Sequence, residues 1–456
     1  MTTTSVHAAC PRRRKRPERP RPVPRTPLVA ASNPTTQRFA GYAAVVALPT
    51  APSSFWLDRH QALDSRTPLM GRSKQETDVV VIGAGIVGVS LARCLVNRGS
   101  RVVLLDADVA GRGATGRSAG FILAEGAETT ATVTRTHGAE TAQALRGAGL
   151  RTRESLAWLA GSREFGLRRT GSLRLAGDAG EAHEFEETAR LLGPAVRFLA
   201  ADTIPAPYRE RGFTAGLVDP GDGMLDPLDL LERILSAARA QASQRIGMLH
   251  VYSGTAVSDL DEANGLVSVR SALGYVQAKR CVVTTNAWIN RLVPKGPFVR
   301  PVRAQMLAAR VDPVPSWDMP VYADHGTDYW RLADDGTVLL GGQRLVGGPT
   351  EETGNASPAA PVQPALDALL RRLVGEQATV RVVTRWAGTM GFSADGIPVA
   401  GKAPGYDRVW VLGGCNGHGL GWGPGLAGML ADAMAGQGSG IPACFDPGRG
   451  AVTRRS

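Results

Sequence analysis

Cysteine is scarce. Cys10, Cys94, Cys281, Cys415 and Cys444 are scattered through 456 residues, with no CxxC pair and no histidine at ligand spacing except His418 beside Cys415. That spacing argues against a disulfide framework and against a zinc site, so no metal is expected, and it suits a reducing cytoplasm. No apolar run approaches the length of a membrane-spanning helix, so no integral span is expected. Charge is also sparse once it is located. Of the formal +11, residues 1 to 75 hold +10, from 13 Lys or Arg against Glu18, Asp58 and Asp64. The body is left near neutral, which argues against a phosphate-tracking surface and confines any nucleic-acid role to the tail. Neither an internal repeat nor a grouped nucleophile, base and acid is found.

With 43% hydrophobic residues, the chain can fill the cores of two domains. Residues 1 to 52, rich in Pro, Arg, Thr and Ala, read as a disordered basic tail. Its apolar patch, Gly41 to Leu48, is too short and broken for an export signal. A dispensable arm or a start codon assigned too far upstream are the plainer readings. Residues 53 to 76 form an N-terminal arm.

The segment Asp78-Val79-Val80-Val81-Ile82-Gly83-Ala84-Gly85-Ile86-Val87-Gly88 specifies a nucleotide pyrophosphate site. A β-branched run feeds a turn in which Gly83 permits the bend, Gly85 lets the backbone approach the pyrophosphate, and Gly88 lets the next helix pack closely. From Ile86 the apolar residues recur at helical spacing, which places the anion at a helix N-terminus. Gly99 ends the helix. The strand Val102 to Leu105 then delivers Asp106 to the ribose hydroxyls.

Downstream the pattern alternates. A helix is expected around Glu140 to Ala160, a strand over Gly166 to Leu175, and a helix over Glu181 to Leu192. Asp226-Pro227 opens a helix from Leu228 to Gln241, with Asp226 as its N-cap. Short strands follow at Leu249 to Tyr252, Ala256 to Leu260, Leu266 to Arg270, Val276 to Ala278 and Cys281 to Thr285. A β-rich stretch covers Val302 to Val311 and Tyr329 to Gly341. A Pro-rich loop, Pro349 to Pro364, precedes a helix over Ala365 to Val374. The last unit is a strand, Val409 to Leu412, a glycine-rich turn, and a helix from about Pro424 to Ala435. The expected class is α/β: a Rossmann-type dinucleotide domain (77–135, 224–300 and 385–440) interleaved with an α+β domain (136–223 and 301–384) on a mainly antiparallel sheet.

A nicotinamide-binding domain would continue with further β-α units after Asp106. Here the chain runs into Gly111-Arg112-Gly113-Ala114-Thr115-Gly116-Arg117-Ser118-Ala119-Gly120, a departure that points to FAD. A loop poor in side chains can lie along a flavin dinucleotide and offer backbone N–H groups and the hydroxyls of Thr115 and Ser118. Arg117 faces either a phosphate or solvent. Near the C-terminus, Gly413-Gly414-Cys415-Asn416-Gly417-His418-Gly419 can aim N–H groups and a helix dipole at the flavin's pyrimidine edge. The plainer alternative is a glycine-rich connection.

Together these elements resemble the FAD-dependent oxidoreductases of the D-amino acid oxidase superfamily, from about Ser53 to Gly436. The marks are DVVVIGAGIVG, GATGRSAG, RTGSLRLA (Arg169 to Ala176), MLDPLDLL (Met224 to Leu231), VRPVRAQM (Val299 to Met306), DGIPVAG (Asp395 to Gly401) and GCNGHG. Phe55-Trp56, GATGRSAG and GCNGHG look most like the γ-glutamylputrescine oxidoreductase branch. The resemblance implies oxidation of a C–N bond in a small amine or amino acid by hydride transfer to flavin N5, giving an imine that hydrolyses. The electrons pass to O₂ or another acceptor. The cofactor contacts implied are Gly83, Gly85, Ile86, Gly88, Asp106, Ala114, Thr115, Arg117, Ser118, Ala119, Val257, Gly414, Asn416, Gly417, His418 and Gly419. Three departures stand out. Thr284-Thr285-Asn286-Ala287-Trp288 replaces the usual Ala-Thr-Gly-Ala-Trp, Ser118-Ala119 replaces Asn-Gly, and Asp106 stands where Glu is common. Sarcosine oxidases attach FAD to a cysteine that aligns near Gly388, so FAD is expected to be non-covalent.

His418 either hydrogen-bonds the flavin or amine, or caps a helix. Arg303 either pairs with a substrate carboxylate or ties the sheet to the FAD domain. Tyr329, Trp330, Arg344 and Trp386 are candidate pocket walls or plain core. The rival functions are a dehydrogenase serving a quinone or carrier protein and a non-catalytic flavin-bound subunit. The substrate and oligomeric state are not legible.

Overall fold

Runs of Val, Ile and Leu with no polar interruption suit strands covered on both faces. In the computed structural model, which describes residues 53–60, 67–69, 75–160, 166–244, 248–296, 299–438 and 440–449, they form the centre of an eight-stranded sheet. The expected disordered tail lies outside the described residues. Gln75–Ile82 pairs in parallel with Val102–Leu105 on one side and Gly274–Val283 on the other. Leu249–Tyr252 and Val409–Gly413 extend the parallel array, and Val399–Lys402 closes one edge antiparallel. The hairpin Val257–Ala263 and Leu266–Ser271 branches off Gly274–Val283. The chain therefore returns to this sheet from three separated stretches.

A second eight-stranded sheet runs in the order Thr379–Ser393, Val299–Asp312, Val338–Gly341, Asp328–Leu332, Val321–Ala323, Ser172–Ala176, Ala215–Asp219, Arg197–Leu199. Only the pair Val321–Ala323 with Ser172–Ala176 is parallel. The helix Val362–Val374 packs Leu366, Leu369, Leu370 and Leu373 into its core. The fold is the expected α/β architecture with a mainly antiparallel second sheet.

Several local expectations shift for identifiable reasons. Regular strand begins at Ser172 and not Gly166, because Gly171 takes φ +77° and only Arg168 bridges to Met224 before it. Residues 274–283 form one strand and not two: exposed Lys279 and Arg280 stay in register beside Gln75–Ile82. The helix expected from Ala365 starts at Val362, since Pro364 falls in a first turn that needs no N–H from it. Thr379–Ser393 crosses the expected boundary at 384/385 as one strand of the second sheet. The helix Ala139–Ala160, expected in the other domain, packs on the last helix.

That last helix, Gly419–Met434, begins five residues before Pro424. Its glycines disguise it in sequence, because each costs helix propensity. A Cβ at Gly421 would sit 2.2 Å from Leu123 O, and one at Gly425 2.0 Å from Ala148 O. Helix is retained because tight packing against these neighbours outweighs propensity.

Candidate active site

The first turn has the geometry its glycines require. Gly83 takes φ +107°, and a Cβ on Gly88 would lie 1.8 Å from Gly83 O. Ile86–Asn97 starts at Gly85 with no side-chain cap and no acid in its first turn, although Ile86 N donates to Thr115 Oγ1 at 3.0 Å. The helix dipole is thus left uncompensated at a site suited to an anion. Asp106 Oδ2 accepts from Ala84 N at 2.6 Å and Oδ1 from Asp108 N at 2.9 Å. Burial pushes its pKa up to about 6 against the pull of these amides. Two bonds leave a carboxylate with further acceptor capacity. Thr284 Oγ1 braces the turn through Ile82 O and Gly83 O, both 2.9 Å away, while Thr285 Oγ1 is buried with no partner. A ribose-bearing, anionic cofactor would meet the uncapped helix end and the part-satisfied carboxylate.

The loop Gly111–Gly120 spends its polar groups differently from expectation. The amides of Gly116, Arg117 and Ser118 bond to Gly111 O, Ala114 O and Thr115 O, so those three N–H groups are closed within the loop. Ser118 Oγ donates to Thr115 O, whereas Thr115 Oγ1 accepts from Ile86 and keeps its own hydrogen to give. Ala114 and Ala119 are half-buried beside them. Arg117 does not face solvent. It is buried with Nη1 on Ala387 O at 3.3 Å and Nε on Arg112 O at 3.2 Å, and burial, aided by Arg112, pushes its pKa down to about 10.

At the other end, Asn416 is fully engaged. Its Oδ1 accepts from Ser393 N at 2.9 Å, and its Nδ2 donates to Gly396 O and Gly414 O at 2.8 and 2.9 Å. The residue acts as a clamp between GCNGHG and DGIPVAG. It holds Gly417 exposed and Gly419 at the start of a helix that has no side-chain cap and no acid in its first turn. The strand Thr379–Ser393 joins the pieces: Arg117 reaches Ala387 O, and Asn416 N donates to Gly391 O at 3.0 Å.

His418 is buried, with Nδ1 3.1 Å from Asn416 O and Nε2 without a partner. Burial, reinforced by the Arg174 charge, pushes its pKa down to about 4. Its ring centroid lies 5.9 Å from that of Tyr322 and 5.2 Å from that of Trp422. Tyr322 in turn meets Phe121 at 5.4 Å and Tyr329 at 5.8 Å. Burial pushes the Tyr322 hydroxyl up to about 12. Arg174 stands 5.7 Å from the Tyr322 ring and bonds Gly126 O and Ala127 O. Arg344, half-buried, lies 5.2 Å from the Phe392 ring, and its charge acts on Tyr329. These rings form an aromatic cluster around one neutral imidazole, with the guanidinium groups of Arg174 and Arg344 beside it and the Asp328 carboxylate acting on Tyr329.

The other expected residues fall elsewhere. The Nε–Nη2 fork of Arg303 is closed on Glu351, at 2.8 and 2.6 Å, with Ser357 O on Nη1. It ties the second sheet to the 348–359 segment and leaves no fork for a substrate carboxylate. Trp386 is fully buried among Phe55, Trp56, Leu228 and Met306, its Nε1 on Arg117 O at 2.9 Å, and is not a pocket wall. Trp330 is likewise core. Val257 opens the hairpin strand of the first sheet, half-buried, two residues after Thr255, whose N–H donates to Asp106 O at 2.7 Å. Sequence reasoning missed Phe121, Arg174, Tyr322 and Trp422. Arg174 lay in view within RTGSLRLA, a polar residue inside an apolar strand. The cluster's aromatic residues carry no local signal, since they meet only through tertiary structure.

Residues 78–433 match the family described as FAD dependent oxidoreductase (DAO). The chain is 24% identical over 386 residues to a probable oxidoreductase, OrdL, of Rhizobium meliloti (strain 1021), covering 82% of this chain and 86% of that one. It is 25% identical over 360 residues to the gamma-glutamylputrescine oxidoreductase of Escherichia coli (strain K12), covering 75% and 80%. The crystal structure of glycine oxidase from Geobacillus kaustophilus shares the fold, with TM-score 0.68 at 24% identity over 84% of this chain and 100% of that one.

Proposed function

The chain belongs to the FAD-dependent oxidoreductase family, and from that premise we propose that it removes two electrons from a C–N bond of an amine or amino acid, leaving an imine that water hydrolyses. FAD, when bound, supplies the acceptor for the hydride that leaves the substrate carbon. Gly83, Gly85 and Gly88, with the start of the helix Ile86–Asn97, hold its pyrophosphate, and Asp106 holds a ribose. Gly388 offers no nucleophile, so FAD is held without a covalent bond. Reoxidation falls to O₂ or a separate acceptor.

The reading rests above all on the buried, unpartnered Nε2 of His418. Asn416 O can only accept, so the ring hydrogen is on Nδ1 and Nε2 presents a lone pair. A substrate N–H is the donor that satisfies it, which orients the nitrogen so that its own lone pair forms the C=N bond as the hydride leaves the carbon. Hydride loss requires a neutral amine. Burial and the Arg174 charge both disfavour an ammonium beside His418.

Product analysis tests this. Wild-type enzyme should convert members of a panel of primary and secondary amines and amino acids to a carbonyl compound plus the released amine or ammonia. His418→Ala should retain FAD and lose about a hundredfold in kcat/KM. An unchanged kcat/KM in His418→Ala removes the imidazole from the mechanism.

A further inference from the structure

The family match begins at residue 78, yet the segment 53–60 upstream of it lies directly on the glycine-rich loop. Side chains from outside that loop take up its carbonyl oxygens in succession. Ser54 Oγ donates to Gly116 O, Trp386 Nε1 to Arg117 O at 2.9 Å, Trp56 Nε1 to Ser118 O at 2.8 Å, and Arg331 Nη1 to Gly120 O at 3.2 Å. Two of these four donors belong to the upstream segment. With the amides of 116–118 closed inside the loop, its backbone is fixed from both sides.

The segment is itself anchored at both ends. Phe55 and Trp56 are buried, their rings edge-on at 4.9 Å, in an apolar cluster with Leu228, Met306 and Trp386. Leu57 covers Gly116 so closely that a Cβ there would meet its Cδ2 at 3.3 Å. At the far end, His60 Nε2 lies 3.0 Å from Asp226 Oδ2, at the cap of the helix Pro227–Ser243. A loop of small residues has many alternative conformations, and ordering it in advance lowers the entropy lost when a ligand docks.

We infer that residues 53–60 are a strap that holds this loop in its FAD-binding shape, with Ser54 and Trp56 as positioning residues for the cofactor. The inference rests on the reading that the loop borders FAD. Trp56→Phe keeps a ring in the cluster and removes the N–H donor with part of the indole's volume, and Ser54→Ala removes only a hydroxyl. Asp106→Asn serves as the reference for the cofactor site itself. Each variant is purified as holoenzyme and stripped of FAD, and FAD is titrated back by fluorescence quenching. The thermal midpoint of the apoprotein and the midpoint potential of the bound flavin are recorded alongside.

Each strap variant should weaken FAD roughly tenfold and shift the flavin potential, with the apoprotein midpoint little changed in Ser54→Ala. A lowered apoprotein midpoint with wild-type FAD affinity means a folding role alone and overturns the inference. Wild-type affinity in both strap variants, with Asp106→Asn weakened, overturns the strap and leaves the site reading standing. Wild-type affinity in all three overturns both. If Trp56→Phe fails to fold, Ser54→Ala decides, since it leaves the apolar anchor intact.

Discussion

His418 gives its one ring hydrogen to the carbonyl oxygen of Asn416, 3.1 Å away, and this bond fixes which nitrogen keeps the lone pair. The same burial makes the residue acid-sensitive. The unfolded chain protonates His418 near its ordinary value of 6.5, whereas the folded chain resists down to about 4. Stability should therefore fall as pH drops through that window, by up to about 3 kcal/mol, and stay insensitive to this group above it. Thermal midpoints across the window check this. His418→Gln should flatten the curve, and an unchanged slope in that variant assigns the acid sensitivity elsewhere.

Arg174 supplies positive charge beside His418 and Tyr322. Replacing it with glutamine keeps hydrogen-bond donors for Gly126 O and Ala127 O while removing the charge. A bound amine then holds its proton more readily. The acid limb of the kcat profile should move to higher pH, by about one unit. A profile superimposable on wild type would show that the charge does not reach the substrate nitrogen.

Gly88 and Gly113 make a matched pair. A Cβ at Gly88 meets Gly83 O at 1.8 Å, while one at Gly113 meets nothing within 4 Å. Gly88→Ala should cost about 3 kcal/mol or more and yield protein with little FAD. Gly113→Ala should match wild type in yield and colour. Flavin-to-protein absorbance ratios of the two purified variants decide the point.

The Arg303–Glu351 pair is buried, and Gln305 Nε2 also bonds both carboxylate oxygens, at 3.2 and 3.1 Å. Glu351→Ala strands a buried guanidinium and should cost about 3–5 kcal/mol. Its KM for the best amine should stay near wild type in whatever fraction remains folded. Denaturant melts and steady-state kinetics together separate this structural role from substrate binding.

The most legible parts of the chain were those whose signal is local. The strand Val102–Leu105, the start of Ile86–Asn97 and the Asp226 cap are written in runs, glycines and capping chemistry within a dozen residues. Arg303 misled because a paired and an unpaired arginine look alike in sequence, and Glu351 lies 48 positions away. The aromatic cluster was illegible for the same reason. Phe121, Arg174, Tyr322 and His418 belong to four separate segments, and only the pairing of Val321–Ala323 with Ser172–Ala176 places Tyr322 opposite Arg174.

Anaerobic mixing of the purified holoprotein with a broad panel of primary and secondary amines and amino acids, read by visible absorbance, tests the central claim most directly. The account predicts yellow protein whose flavin band bleaches with at least one of them and returns when an electron acceptor is admitted. Protein that stays colourless after incubation with FAD, or a flavin band that no member of the panel reduces, would contradict it.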